Sequence, residues 1–163
     1  MTPEPSHRML SSRSEFHDAL RAALMLAAEQ GCRELIISDA TFADWPLGER
    51  SVVDAFTRWA YAHRRLTVLA HNYDDLPRRH PRWVEWRKQW DHVVTCRALP
   101  EAEPDQIPCL LIAPGLVTVR LFDPVHYRAS VSTEHADEVR AREVFDALLQ
   151  QSSEALPAST LGL

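Results

Sequence analysis

The amino-acid sequence predicts an α/β domain, a mixed sheet with helices on both faces, and three observations predict it. Glu34 to Ser38 (ELIIS) and Leu66 to Ala70 are short, mainly apolar runs, as in strands covered on both faces. The segments around them carry apolar residues at helical spacing, so strand and helix alternate in the β-α-β manner. Beyond Pro108 the period becomes two, with Val117, Val119 and Leu121 alternating with Thr118 and Arg120, the mark of antiparallel strands with one wet face.

Residues 1 to 12 are rich in Pro and Ser and are expected to fray. Ser12 or Ser14 is placed to cap a first helix, in which Phe16, Leu20, Ala23, Leu24, Ala27 and Ala28 follow helical spacing to a stop at Gly31. The first strand then ends in Asp39, and a polar loop with Asp44, Trp45, Pro46 and Gly48 leads on. Ser51 with Asp54 three residues later resembles a capping box for a second helix ending near His63, with Val52, Val53, Ala55, Phe56, Trp59 and Ala60 turned inward.

The stretch from Leu66 to Arg97 organises the chain. After its strand, His71, Asn72, Tyr73, Asp74 and Asp75 fall just past the carboxyl end, where open α/β sheets place ligand crevices. Pro81 suits the first position of a helix that should run to about His92, and Trp83, Trp86 and Trp90 line one stripe of it. Between residues 77 and 97 six basic residues face only Glu85 and Asp91, in a chain whose net charge is −5. That contrast has two readings. One is an anion site made of His71, Arg78, Arg79, Arg82, Trp83 and Arg87, with guanidiniums for phosphate and indoles for stacking. The other packs the tryptophans on the sheet and leaves the arginines in water, and the usual burial of large aromatics favours it.

A strand over His92 to Leu99 and an acidic, proline-marked loop from Ala98 to Pro108 follow. Cys109 to Ala113, a Pro114-Gly115 turn, Val117 to Leu121 and Tyr127 to Ser132 form a meander. The last helix, about Glu134 to Gln151, is expected to bury Val139, Val144, Phe145, Leu148 and Leu149. Residues 152 to 163 form a small-residue tail, so a single domain over 13 to 151 is expected.

Composition excludes several function classes. The four glycines are too scattered for a phosphate-cradling loop, and neither GxGxxG nor GxxxxGK[ST] occurs. Cys32, Cys96 and Cys109 are odd in number and set in apolar surroundings, as reduced thiols in a cytoplasmic protein would be. No pair of histidines has zinc-ligand spacing, so no metal or cofactor is expected. No apolar run reaches the roughly 18 residues of a membrane span, and the amino-terminal residues lack the pattern of a signal peptide.

The order of elements, a helix, β-α-β-α-β, a meander and a closing helix, resembles one half of the phospholipase D superfamily fold from about Arg13 to Gln150. That family's signature is His-x-Lys-x4-Asp, often followed by glycine. Laid on the strand after the acidic loop, it falls on Ile107, Cys109 and Pro114, with Gly115 next. The Gly-Ser-x-Asn that usually follows falls on Leu121, Phe122, Asp123 and Pro124. In the family a histidine attacks phosphorus while a lysine holds the phosphate, and isoleucine and cysteine do neither. The resemblance therefore implies a phosphodiesterase scaffold without its chemistry: a non-catalytic binding or regulatory domain acting through a protein partner or a small anion. Since the family assembles two halves around a shared site, it also implies a homodimer. Two other function classes remain, a binder of phosphate or single-stranded nucleic acid through the 77 to 92 helix, and an enzyme using His71, Asp74 or His80. The acidic total weighs against broad nucleic-acid affinity, and a polar turn accounts for His71, Asp74 and Asp75 without catalysis.

Overall fold

The two faces of the central sheet differ, and the difference decides where ligands have room. The computed structural model describes residues 4–61 and 63–157. In chain order the elements are β1 (His7–Leu10), α1 (Arg13–Gln30), β2 (Glu34–Ser38), α2 (Arg50–Trp59), β3 (Arg65–Ala70), α3 (Leu76–Arg79), α4 (Pro81–Gln89), β4 (Val94–Ala98), β5 (Cys109–Ala113), β6 (Val117–Asp123), β7 (Arg128–Ser132), α5 (His135–Leu149) and β8 (Ser153–Glu154). The strands form one mixed sheet in the order β1-β7-β6-β5-β2-β3-β4-β8. β2, β3 and β4 run parallel, and the remaining pairs are antiparallel.

One face is apolar from edge to edge. Leu10, Ala129, Val119, Leu111, Ile37, Val68 and Cys96 join the larger core, with Phe16, Leu20 and Leu24 from α1, Val52, Phe56 and Trp59 from α2, and Trp83 and Trp86 from α4. The opposite face carries apolar residues only at its centre, where Ile36, Leu69, Leu110 and Ile112 meet Ala141 and Phe145 of α5. Burying each such side chain contributes about 1.5–3 kcal/mol, so the first face holds most of the stability.

Local signals explain much of this. Ser12 caps α1 by accepting from the Glu15 N–H at 3.1 Å. The helix stops at Gly31, whose φ of 73° is left-handed and whose N–H reaches the Ala27 carbonyl. β2 and β5 keep the predicted bounds, and β3 starts one residue earlier than expected.

Six expectations need correction. The segment expected to fray contains β1, which pairs with β7 from His7↔Ser132 to Leu10↔Ala129, because the edge of β7 offers its backbone groups a partner and the core offers Leu10 a place. The Ser51–Asp54 capping box does not form; α2 starts at Arg50 after Glu49, whose carboxylate instead takes Arg21 in two hydrogen bonds of 2.7 and 2.8 Å. That helix ends at Trp59 rather than near His63, with the Trp59 indole N–H donating to the Cys32 carbonyl at 2.7 Å. The helix expected from Pro81 to about His92 does start at Pro81 but ends at Gln89, and a short helix not expected from the sequence, α3, precedes it, the two separated at His80 (φ −133°, ψ 59°), since a residue before proline avoids the helical region. In α5, Val139 and Val144 are 37% and 39% exposed, because one helix crossing the middle of a sheet buries only a narrow stripe. The expected small-residue tail also supplies β8, which pairs with β4 through Ala98↔Ser153.

Candidate functional site

The break at His80 makes a concavity. His80 is 7% exposed, and both its ring nitrogens are used. Nδ1 accepts from the Gly48 N–H at 3.1 Å, and Nε2 donates to the Phe42 carbonyl at 2.8 Å. A carbonyl can only accept and an amide N–H can only donate, so the ring is the neutral Nε2–H tautomer. Burial pushes its pKa below the ordinary value, and the neighbouring Arg79 adds to the effect. Glycine at 48 suits this bond, since a Cβ there would lie 3.0 Å from His80 Nδ1 and the ring would have to give by a few tenths of an ångström. The bracket also fixes Phe42, which sits at φ 60° with its N–H bonded to Asp39 Oδ2 at 2.8 Å. Left-handed backbone at a non-glycine residue costs about 1–2 kcal/mol, and these bonds offset it.

Over this bracket lies a cleft of about 570 Å³ between α1 and the α3–α4 junction, lined by Arg13, His17, Arg21, Glu49, Arg79 and Arg82 among others. Arg79 and Arg82 are exposed and, among the described residues, stand in no ion pair. Arg82 Nη1 donates to the Gly48 carbonyl at 2.7 Å, which aims the guanidinium across the cleft mouth. On the opposite wall Arg13 Nε donates to Asp44 Oδ1 at 2.7 Å, the Tyr127 hydroxyl donates to the other carboxylate oxygen, and His17 Nε2 donates to the Asp44 carbonyl at 2.6 Å. Burial alone would raise the Asp44 carboxyl, but the bonds from Tyr127 and Arg13 outweigh it and hold the group below its ordinary value. Arg21 does the same for Glu49. Four guanidiniums thus face two carboxylates, and the two unpaired ones share a rim.

The sequence-predicted site residues are divided by the fold. Arg79 and Arg82 line the cleft. Arg78 is exposed and pairs with Asp75 at 3.0 Å, outside it. Trp83 is fully buried against Phe56 and Trp86, so its indole offers no face to a base; Trp83 and Trp86 are core, while Trp90 at the end of the stripe is half-buried. Arg87 is also buried, paired with Asp91 at 3.0 Å, because its position on α4 turns inward between Val84 and Trp90. His71 accepts at Nδ1 from the Asn72 amide at 3.0 Å, and Asn72 Oδ1 takes the Asp74 N–H in an Asx turn. His80, with both nitrogens occupied, has none for acid–base work. No cluster of three metal-ligating side chains occurs among the described residues. Sequence reasoning passed over Arg13, His17 and Arg21, although their spacing of four on α1 puts them on one stripe.

No protein-family model matches the chain, and no curated protein does. Among solved structures it is similar to TrmBL2, an archaeal chromatin protein described as showing a novel mode of DNA binding, with TM-score 0.64 and 15% identity over 91% of this chain and 54% of that one. It is also similar to Nuc from Salmonella typhimurium, a phospholipase D family member, with TM-score 0.53 and 14% identity over 93% of this chain and 99% of that one. The fold is phospholipase D-like. This chain spans about half the length of the chromatin protein, whereas it matches the Nuc chain from end to end. Within this phospholipase D-like frame Ile107 is 5% exposed ahead of β5, and the Cys109 thiol that opens the strand is held well above its ordinary pKa, first by burial and then by Asp39. No helix among the described residues is long and apolar enough to cross a membrane.

Proposed function

We propose that this chain is a non-catalytic binding domain that holds phosphate groups of an anionic ligand, a single-stranded nucleic acid among them, in the cleft beneath Arg79 and Arg82. The observation that carries the reading is the pair of exposed guanidiniums without carboxylate partners among the described residues, on the rim of a cleft whose other cations, Arg13 and Arg21, are held in place by Asp44 and Glu49. A volume of about 570 Å³ suits a phosphorylated small group or one nucleotide of a longer chain. Guanidinium forks match phosphate oxygens in geometry as well as charge.

The non-catalytic half of the reading rests on the family signature, which in this chain falls on Ile107, Cys109 and Pro114. None of these supplies a nucleophile of the kind the family uses, and the half-buried Cys109, its pKa held above the ordinary value, is a thiol rather than a thiolate. A homodimer is part of the proposal, by analogy with the two-half arrangement of the fold. Sedimentation at rising concentration should show a dimer, and a monomer throughout would remove that part.

The decisive experiment is anisotropy of a fluorescein-labelled single-stranded oligonucleotide against the full chain, at low and physiological salt. Two or three phosphate contacts give a log–log salt slope of about −1.4 to −2. Arg79→Ala with Arg82→Ala should weaken binding at least tenfold and leave the melting temperature unchanged, since both side chains are exposed. Absence of saturable, salt-sensitive binding, or full affinity in the double variant, would overturn the reading. The oligonucleotide should come through a day's incubation uncut.

A further inference from the structure

We infer a second anion-binding site, on the other face of the sheet, that takes a linear chain of phosphate groups. It goes beyond the α1–α3–α4 cleft and does not depend on it.

The site exists because α5 is too narrow for the face it covers. Its apolar stripe ends over Ile36 and Leu69, and the next residues of that face, Arg65 and Thr67 on β3 and Thr95 and Arg97 on β4, line an open concavity that α5 borders only with its end at Leu149 and Gln150. Two concavities of about 470 and 550 Å³ lie there. Both are lined by Arg65 and Thr95, so they join into one groove. It starts at the amino ends of β2, β3 and β4, beside Arg33, Arg64 and His92, and continues to Arg97 and the end of α5 at Leu149 and Gln150.

The charge in this groove is mainly positive. Arg33 and Arg65 are exposed and, among the described residues, stand in no ion pair. Arg64 donates to the Gly31 carbonyl at 2.5 Å, while its buried Nε–H has no acceptor in the described structure. Arg97 is oriented by Ser152, donating to its hydroxyl at 3.0 Å and its carbonyl at 2.6 Å. Among the described residues, Glu34 is the carboxylate that lines it and is taken by Arg142 at 2.9 Å, while Glu154 is level with Arg97 across the β4–β8 pair. Thr67 and Thr95 stand directly opposite each other in the β3–β4 register and add a pair of hydroxyls midway.

Spacing selects the ligand. Arg97 is level with Leu69, four residues beyond Arg65 on β3, which places the two anchors roughly 13 Å apart along the strands. A single phosphate cannot span that distance. A run of phosphates can, with contacts to Arg33 and Arg64, to Arg65 and the threonines, and to Arg97 in turn. The backbone of single-stranded nucleic acid and inorganic polyphosphate share this chemistry.

The test is an amide and arginine-Nε NMR titration of the full chain at low ionic strength with inorganic phosphate, tripolyphosphate and a short single-stranded DNA. Tripolyphosphate should shift Thr67, Thr95 and the Nε signals of Arg65 and Arg97, and should bind at least tenfold more tightly than inorganic phosphate. Arg33→Ala with Arg65→Ala should abolish these shifts while leaving intact any at Gly48, Arg79 and Arg82, so the two sites succeed or fail separately. Thr95→Glu, a like charge placed in the groove, should weaken binding as well and guards against misfolding of the double variant. Equal affinity for phosphate and tripolyphosphate, no shifts along β3 and β4, or undiminished binding by both variants would overturn the inference. Shifts with DNA but not with tripolyphosphate would overturn it too, because the groove reads phosphate and not bases.

Discussion

His80 is held neutral by geometry. Its ring cannot take a second proton without losing the Gly48 N–H, and its pKa lies below the ordinary 6.5 through burial. The unfolded chain therefore binds the proton more readily than the folded one, and the stability contributed by the neutral ring is complete above pH 6.5. It is lost progressively as pH falls from there through the folded value. Melting curves should show a lower midpoint at about pH 5 than at about pH 7, and His80→Asn, which cannot titrate, should flatten that difference. A ring that titrates at or above the ordinary value by NMR would show that the bracket is not made. Arg87 presents the opposite case, a charge buried at the core edge whose Nε–H has no partner among the described residues and whose one ion pair, Asp91, is largely exposed. Asp91→Ala should cost about 1–3 kcal/mol by leaving the guanidinium uncompensated. Arg87→Met, which removes the charge and keeps the volume, should be neutral or stabilising in urea unfolding.

Elements are selected here by what they cover. α1, α2 and α4 together seal an all-apolar face, so their large side chains turn inward, the Trp83 and Trp86 indoles included. α5 works alone, and only residues directly over the central strands are buried. Phe145→Ala should therefore cost about 3–5 kcal/mol, the range for a core aromatic. Val144→Ala and Val139→Ala should each stay within about 0.5 kcal/mol of the parent, as surface substitutions do. Equal costs at the three positions, measured by chemical denaturation, would mean that α5 sits deeper than its exposed valines show.

The sheet ends in two short strands, and this matters for the whole molecule. β1 covers the outer edge of β7 and contributes Leu10 to the main core, while β8 covers the outer edge of β4. An open edge is a template for pairing with another chain. Deleting residues 1 to 10 should lower the melting midpoint by about 3–12 °C through loss of the Leu10 contribution and raise light scattering on storage. An unchanged midpoint would show that β1 is ornamental. Charge is also a whole-molecule property: the chain totals −5, yet eight of its 18 lysines and arginines line two grooves on opposite faces of one sheet. Net charge argues against indiscriminate adhesion to nucleic acid, while local charge permits a defined site.

By itself the sequence determined the α/β class, the first helix with its caps at Ser12 and Gly31, the bounds of β2 and β5, and the concentration of cations after β3. These are local properties, written in hydrophobic period, cap chemistry and glycine placement. Tertiary structure decided the rest. Whether Arg87 or Arg82 meets solvent depends on which side of a nine-residue helix a neighbouring layer occupies, and no single-chain period contains that layer. The partnership of Arg79 and Arg82 with Arg13 and Arg21 joins residues from opposite ends of a β-α-β-α path. The groove beside α5 was invisible for the same reason: Arg65 and Arg97 read as flanking charges until β3 and β4 pair in register and one helix proves too narrow to cover them.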